Sequence, residues 1–415
     1  MKIAIVGSGI AGLTCAYLLN RQHDIQVFEA SDWIGGHTHT VDVQVEGRSY
    51  AIDTGFIVFN DWTYPNFIRL LEQIGVGFKP TEMSFSVSDP ATGVEYNGHD
   101  LNTLFAQRSN LLSPAFWGML RDILRFNRQS LDDLANNRIS ADTTLGQYLD
   151  SNGYGRRFIE HYIVPMGSAI WSMSLADMLG FPLQFFVRFC KNHGLLSVSD
   201  RPTWQVIEGG SRSYVAPLTE SFAERIRLNC PVSRVVRDQD GVTLHSAAGA
   251  ERFDKVIFAC HSDQALALLD QASEKESEIL GALPYANNDV VLHTDTRLLP
   301  KRKLAWASWN YRLGGPREQM AAVTYDMNIL QGIDSDTTFC VSLNQTAAID
   351  PSKILARFQY AHPQYSLAGT AAQARWEELL GAQHTYYCGA YWANGFHEDG
   401  VVSALRVARA FGETL

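Results

Sequence analysis

Apolar residues near the start of the chain recur with two periods in succession. Ile3–Val6 is a continuous apolar run of strand length, Leu13, Ala16 and Tyr17 follow at helical spacing, and Ile25–Phe28 is again a short strand. The opening therefore reads as strand, helix, strand. Val41, Val43 and Val45 then alternate with polar residues, and Glu46-Gly47-Arg48 turns the chain into a second run that ends at Ile52-Asp53. Phe67, Leu70, Leu71 and Ile74 predict a helix over about 64–74, with Pro65 in its first turn and Gly75 at its end. Met83, Phe85 and Val87 alternate as in a strand, up to a turn over 89–93.

Residues 100–200 read as mainly helical and rich in aromatics. Ser113-Pro114 opens a helix carrying Phe116, Leu120, Ile123 and Leu124, and Phe181, Phe185, Phe186 and Phe189 follow. Short strands return over 225–260, a further β-rich stretch covers about 288–345, and the chain closes with a strand at Thr385–Cys388, a glycine-rich aromatic loop and a helix on Val401, Ala404, Leu405 and Ala408. Consecutive domains do not accommodate this order; two interleaved ones do. The expected class is α/β: a Rossmann-like two-nucleotide fold over 1–80, 202–285 and 375–415, interleaved with an α+β substrate domain that is helical over 81–201 and a β-sheet over 286–374.

Composition narrows the functions. A chain of 415 residues exceeds one ordinary core, and a net charge of −10 argues against non-specific nucleic-acid binding. No apolar run is long enough to span a membrane, and Gly7 interrupts the N-terminal run as no signal peptide would. The six cysteines are scattered without a CxxC pair, so neither a zinc site nor a disulfide framework is expected, and a reducing cytoplasm is the simplest compartment. The histidines show no metal-ligand spacing.

Gly7-Ser8-Gly9-Ile10-Ala11-Gly12 follows the first strand directly and opens the helix, and Glu29, next to Ala30, ends the second strand. This is the context a dinucleotide fingerprint requires: Gly7 for the tight turn, Gly9 for close approach of a pyrophosphate, Gly12 for helix–strand packing, Glu29 for the adenosine ribose. FAD and NAD both fit. Gly35-Gly36 offers a second place where backbone can approach phosphate, no second GxGxxG is present for a separate nicotinamide domain, and the segment Cys388–Gly400 opens a helix whose positive end can face a flavin.

On these residues the chain resembles the amine oxidase/protoporphyrinogen oxidase/phytoene desaturase superfamily of FAD enzymes, and more closely a bacterial group of predicted NAD/FAD-binding oxidoreductases. The matching stretches are Gly35–His39, Asp53–Asn60, Phe105–Arg108, Pro165-Met166 with Ile170-Trp171, Gly194-Leu195, Gly209–Ser211 and the C-terminal segment. The resemblance implies non-covalent FAD held by the first glycine turn, Glu29, Gly35, Gly36, His37 and Thr38, with the backbone of Val232 at the adenine. It also implies Thr54, Gly55, Phe56 and Ile57 beside the flavin ring, Gly389 near the ribityl-phosphate, and Glu398, Asp399 and Val401 at the ring end. The superfamily usually has arginine after its Gly-Gly pair, where this chain has His37. The lysine that many amine oxidases carry near the flavin is missing from residues 284–291, which lowers the amine-oxidase reading.

Phe396 falls where amine oxidases place one wall of an aromatic sandwich; Tyr391 and Trp392, in the same loop, read equally as site or as core. The phenylalanines at 181–189 line a wide apolar cavity or simply pack the helical domain, packing being the default for aromatics at helical spacing. His397 and His161 are the candidate proton acceptors, and His161 reads equally as a core histidine. Arg121, Arg125 and Arg128 share a helix face with Arg108 nearby, either a patch for phospholipid head groups or a solvated face paired with Asp122 and Asp132. The closely similar bacterial group is associated with enzymes that methylate or cyclopropanate phospholipid acyl chains, which implies desaturation of a methylated acyl chain and, with it, an apolar small-molecule or lipid substrate and peripheral membrane contact. The rival readings are an FAD-dependent fatty-acid isomerase, an amine oxidase and a non-catalytic flavin-binding partner of a lipid-modifying complex.

Overall fold

The computed structural model describes residues 1–315 and 320–415. A parallel five-stranded sheet organises the nucleotide-binding half. Its strands, in chain order, are β1 (Lys2–Val6), β2 (Asp24–Phe28), β3 (Ile226–Arg227), β4 (Lys255–Phe258) and β5 (Thr385–Tyr387), and their order across the sheet is β3-β2-β1-β4-β5. Strands far apart in sequence thus lie side by side.

The strand period places successive side chains of β1 on opposite faces. Ile3 and Ile5 pack with α1 (Ile10–Leu19) and the C-terminal helix α2 (His397–Ala410). Ala4 and Val6 pack on the other side with Val235, Val242, Leu244 and Phe253 of a three-stranded antiparallel sheet over 232–253. Both faces of the parallel sheet are therefore covered, which is why its strands read as unbroken apolar runs.

A seven-stranded mixed sheet forms the second half. Across it run Ile354–Pro363, Tyr285–His293, Cys340–Leu343, Val323–Asp326, Trp309–Arg312, Phe85–Asp89 and Val94–Asn97. Trp309–Arg312 pairs in parallel with Phe85–Asp89, joining the early and late parts of the chain. The helices over 101–192 pack beside this sheet in one continuous apolar core.

Several local expectations hold for identifiable reasons. Val41–Val45 and its return run form a hairpin, with Glu46 and Gly47 both at positive φ (53° and 78°) as a two-residue turn of primed type requires. Pro65–Gln73 is the expected helix, with proline in its first turn. Pro114–Ala135 is a helix capped by Ser113, whose hydroxyl accepts from the Phe116 amide at 3.3 Å. Of its expected apolar residues, Phe116, Leu120 and Ile123 pack on the core together with Met119 and Phe126, whereas Leu124 lies on the outer face with Trp117 and Arg121.

Candidate active site

The turn from β1 into α1 is built so closely that only glycine fits two of its positions. A Cβ on Gly12 would stand 2.1 Å from the Gly7 carbonyl oxygen, and one on Gly7, at φ 107°, would stand 2.8 Å from the Ala259 carbonyl oxygen. Gly9 differs: a Cβ there meets nothing within 4 Å, because Gly9 faces open space. As the N-cap of α1 it offers no side chain to the free amides of the first turn. Gly35 bridges to Gly9 as a parallel strand residue, and Gly36 approaches the Gly9 Cα, so both glycine pairs meet at one point.

Glu29 ties this point together. Its carboxylate accepts from the Ser8 amide at 2.9 Å, from the Ser8 hydroxyl at 2.7 Å and from the Ser31 amide at 2.9 Å. A carboxylate has about four acceptor positions, so one remains for a ribose hydroxyl.

A cavity of about 830 Å³ opens from this turn between the two halves of the molecule. Of the sequence-predicted residues, Gly7, Ser8, Gly9, Ile10, Ala11, Glu29, Ala30, Gly35, Gly36 and His37 line it, as do Gly55, Phe56, Ile57, Val232, Gly389, Tyr391, Phe396 and His397. Residues from 1–80, 225–285 and the C-terminal loop thus converge on one space.

The remaining candidates stand behind the wall. Gly12 is consumed by the α1–β1 contact. Thr38 accepts or donates at 3.0 Å to His397 Nε2 and also bonds Tyr214, while Tyr214 reaches the same nitrogen at 3.2 Å. Thr54 shares a hydrogen-bonded cluster with His39 and Tyr360. Val401 is fully buried between α1 and α2, and Trp392 is buried with the core on the β4–β5 side. Glu398 accepts from the Asn66 and Phe67 amides and so caps the Pro65–Gln73 helix; it lines a neighbouring cavity of about 380 Å³ together with Asp399 and Phe396. Asp399 accepts from the Phe396 and Asn394 amides, and burial pushes its carboxyl up to about 6. His161 lies outside both cavities, with its Nε2 3.0 Å from Asp89 Oδ2 in the substrate-half core.

The strand Ile354–Pro363 contributes Tyr360 and His362 to the cavity wall, and the chain nearby adds Tyr285, His261 and Tyr365; the sequence reading named none of these. The alternation Phe358-Gln359-Tyr360-Ala361-His362 was a strand signal, but nothing local says that such a strand passes His37. The His37 ring lies 5.1 Å from that of Tyr360, 5.5 Å from His362 and 6.3 Å from His261. Burial, reinforced by the neighbouring imidazoles, depresses all three: His37 and His261 to about 4, His362 to about 3. Burial holds His397 well below its ordinary value as well. These rings are neutral at pH 7, and among the described residues no group of three or more His, Cys, Asp or Glu could hold a metal ion.

The phenylalanines of 181–189 pack rather than line. Phe181 lies 4.5 Å from Trp171 and Phe185 5.1 Å from Tyr365, and it is Trp171 and Tyr365 that face the cavity. Phe189 stacks on Phe396 at 5.3 Å and supports it from behind. Asp122 pairs with Arg125 at 3.5 Å and Arg121 at 3.8 Å, but Asp132 pairs with Arg138 and not with the arginine stripe. Arg125 leaves that stripe: it lies over the Tyr154 ring at 3.9 Å and donates to the Asn152 carbonyl, because the loop after the Leu145–Ser151 helix covers it. The thiols of Cys15 and Cys388, distant in sequence, lie 3.7 Å apart and buried.

A dinucleotide fits this donor set. The α1 amides lack a side-chain cap, Gly9 leaves a cradle that a Cβ would enter, and His37 Nε2, Tyr365 Oη, Tyr391 Oη and Trp309 Nε1 are buried wall atoms without a partner among the described residues. Fold and site together define a flavin-dependent oxidoreductase. The model of the flavin containing amine oxidoreductases matches residues 10–327, and the chain belongs to that family; its cofactor is FAD. The chain is 36% identical over 76 residues to a zeta-carotene desaturase of Solanum lycopersicum, a match that covers 18% of this chain and 12% of that protein. Among solved structures it is similar to a CLA-producing fatty acid isomerase from P. acnes (TM-score 0.71, 16% identity, 99% of this chain and 98% of that one). It is similar, too, to a putative protoporphyrinogen oxidase from Exiguobacterium sp. 255-15 (TM-score 0.69, 18% identity, again 99% and 98%). The mixed α/β fold is common to these structures.

Proposed function

We propose that the chain desaturates a long apolar acyl substrate, removing a hydride and a proton from adjacent carbons to leave a carbon–carbon double bond. One observation carries the proposal. Among the described residues of the cavity wall, Glu29 is the only aspartate, glutamate, lysine or arginine, and it stands beside Ser8 at the dinucleotide end. Away from that end the wall presents Ile170, Trp171, Trp309, Leu330, Tyr365 and Phe396 beside uncharged polar groups such as His37, Tyr360 and His362. A cationic amine would find no counter-charge there, whereas about ten methylenes buried against such a wall would contribute on the order of 8 kcal/mol.

In this reading bound FAD supplies the two-electron acceptor for the hydride. Gly7, Gly9 and the α1 amides would hold its diphosphate, Glu29 would accept from the adenosine ribose, and Val232 would border the adenine. Phe396, braced by Phe189, positions the acyl chain and excludes water. His397 is the proton acceptor in this reading: burial alone disfavours its imidazolium, and the Thr38 and Tyr214 hydroxyls at Nε2 can accept from it and offset that cost. Dioxygen or another acceptor takes the electrons to complete the cycle. A second reading, double-bond isomerisation without net redox change, is supported by the likeness to the fatty acid isomerase.

Anaerobic mixing of the flavin-loaded protein with a methylated unsaturated acyl chain should bleach the oxidised flavin band, and the product should be two hydrogens lighter. An unchanged product mass would select isomerisation. Rapid bleaching by benzylamine or a polyamine, with no response to acyl chains, would overturn the proposal. Phe396→Ala should slow bleaching while the flavin stays bound.

A further inference from the structure

The exposed apolar side chains of this protein are unevenly placed. Leu101, Leu111, Leu112, Trp117 and Leu124 all fall in one short stretch of the helical region, and Leu112 is 88% exposed and Leu101 76%. On the Pro114–Ala135 helix, Trp117, Arg121, Leu124 and Arg128 succeed one another at four- and three-residue steps, so apolar and basic side chains alternate along one outward stripe.

Contacts join these residues into one surface. The Trp117 indole donates to the Leu111 carbonyl at 2.9 Å, and its ring lies 5.4 Å from Phe105, just after the Leu101–Leu104 turn. That turn packs against Lys303–Ala305, which brings exposed Lys301, Lys303 and Leu304 to the same face. Most of the cations have no carboxylate partner, and Arg108 donates instead to the Asn102 and Phe105 carbonyls and to the Asn102 side-chain oxygen. Among the described residues no carboxylate stands within ion-pair distance of Arg108, Arg128, Lys301 or Lys303; Arg121 reaches Asp122 only at 3.8 Å, and Arg302 pairs with Glu95. Exposed carboxylates border this face as well: Asp100 caps its own turn through the Thr103 amide, and Asp132, one turn beyond Arg128, pairs with Arg138. The patch is thus basic in a chain whose net charge is −10.

We infer that this face, from Leu101 across Trp117 and Leu124 to Lys303, is an interfacial docking surface for an anionic lipid bilayer. The charge pattern favours a bilayer over a protein partner: leucine and indole side chains alternate with cations along the helix, so the apolar groups can enter the acyl boundary while the arginines remain at the head groups. Among the described residues no helix is long and apolar enough to cross a membrane, so the contact would be peripheral.

Co-sedimentation of the flavin-loaded protein with phosphatidylglycerol/phosphatidylcholine vesicles tests this without turnover, so it stands apart from the proposed reaction. The protein should pellet with the mixed vesicles, release on raising the salt, and bind pure phosphatidylcholine weakly. Each charge lost should lower partitioning about fivefold, so Arg121→Glu/Arg128→Glu should lose well over tenfold; Trp117→Ala/Leu124→Ala should lose binding with flavin absorbance unchanged, since neither side chain is in the core. Equal binding by wild type and both variants, or none by a folded wild type, would overturn the inference. So would a dimer in light scattering that Trp117→Ala abolishes while vesicles remain unbound, since the face would then join two copies of the chain.

Discussion

Gly9 and Gly12 belong to one motif and do different physical work. Gly12 is required by the protein itself, since a methyl there would meet the Gly7 carbonyl at 2.1 Å, while Gly9 borders open space. Gly12→Ala should therefore cost fold stability, by about 1–3 kcal/mol in a denaturant titration, as overpacked positions do. Gly9→Ala should leave the unfolding free energy of the apoprotein within about 1 kcal/mol of wild type but weaken retention of FAD on dialysis. Equal stability of the two variants would refute this division of roles. The imidazole cluster gives a second prediction of this scale. His362 is depressed from 6.5 to about 3, so the unfolded chain binds its proton first. Its contribution is present above pH 6.5 and lost as pH falls towards 3, by up to about 1.4 kcal/mol per pH unit. Asp53 and Asp399, raised to about 6 by burial, work in the opposite direction. The test is therefore a difference: the stability of the apoprotein relative to His362→Gln should decline between pH 6 and pH 4, and a flat difference would contradict it.

At the scale of elements, the C-terminal helix does more than close the chain. Glu398, in its first turn, caps the Pro65–Gln73 helix, which has no capping side chain of its own. Removing a cap costs about 0.5–2 kcal/mol, so Glu398→Ala should lower the unfolding free energy by about that amount, and amide exchange should quicken at Asn66 and Phe67. Loss of flavin with unchanged exchange would instead assign Glu398 to the cofactor, as the family resemblance implies. The elements themselves were legible where period and punctuation agreed, as in the β1–α1 turn, the Glu46-Gly47 hairpin and the Ser113 cap. The Pro114–Ala135 helix carries exposed Trp117 and Leu124 beside core-packed Phe116, Leu120 and Ile123, and period alone does not say which apolar residues face the core.

Across the whole molecule, the cavity exists only because many separated stretches of chain, from both halves, meet. The thiols near it are held protonated: desolvation pushes the half-buried Cys260 up to about 12, and the Cys15 thiol and burial push Cys388 well above its ordinary value. A thiol held protonated is a poor nucleophile. Acid or heat should therefore release intact FAD from the purified yellow protein, and flavin that stays with the denatured chain would show a covalent bond. The sequence alone determined the β1–α1 glycine turn with its terminal acid, and through them the nucleotide-binding class, because that chemistry is local: the turn, the helix N-terminus and the end of β2 lie within a short stretch. Tertiary structure decided what local patterning could not carry. It brought His37, His261, Tyr360 and His362 together from three distant segments, set Glu398 against the first turn of the Pro65–Gln73 helix, and left Trp117 and Leu124 outside. Those outcomes depend on which surfaces pack against one another, and burial is a property of the assembled chain.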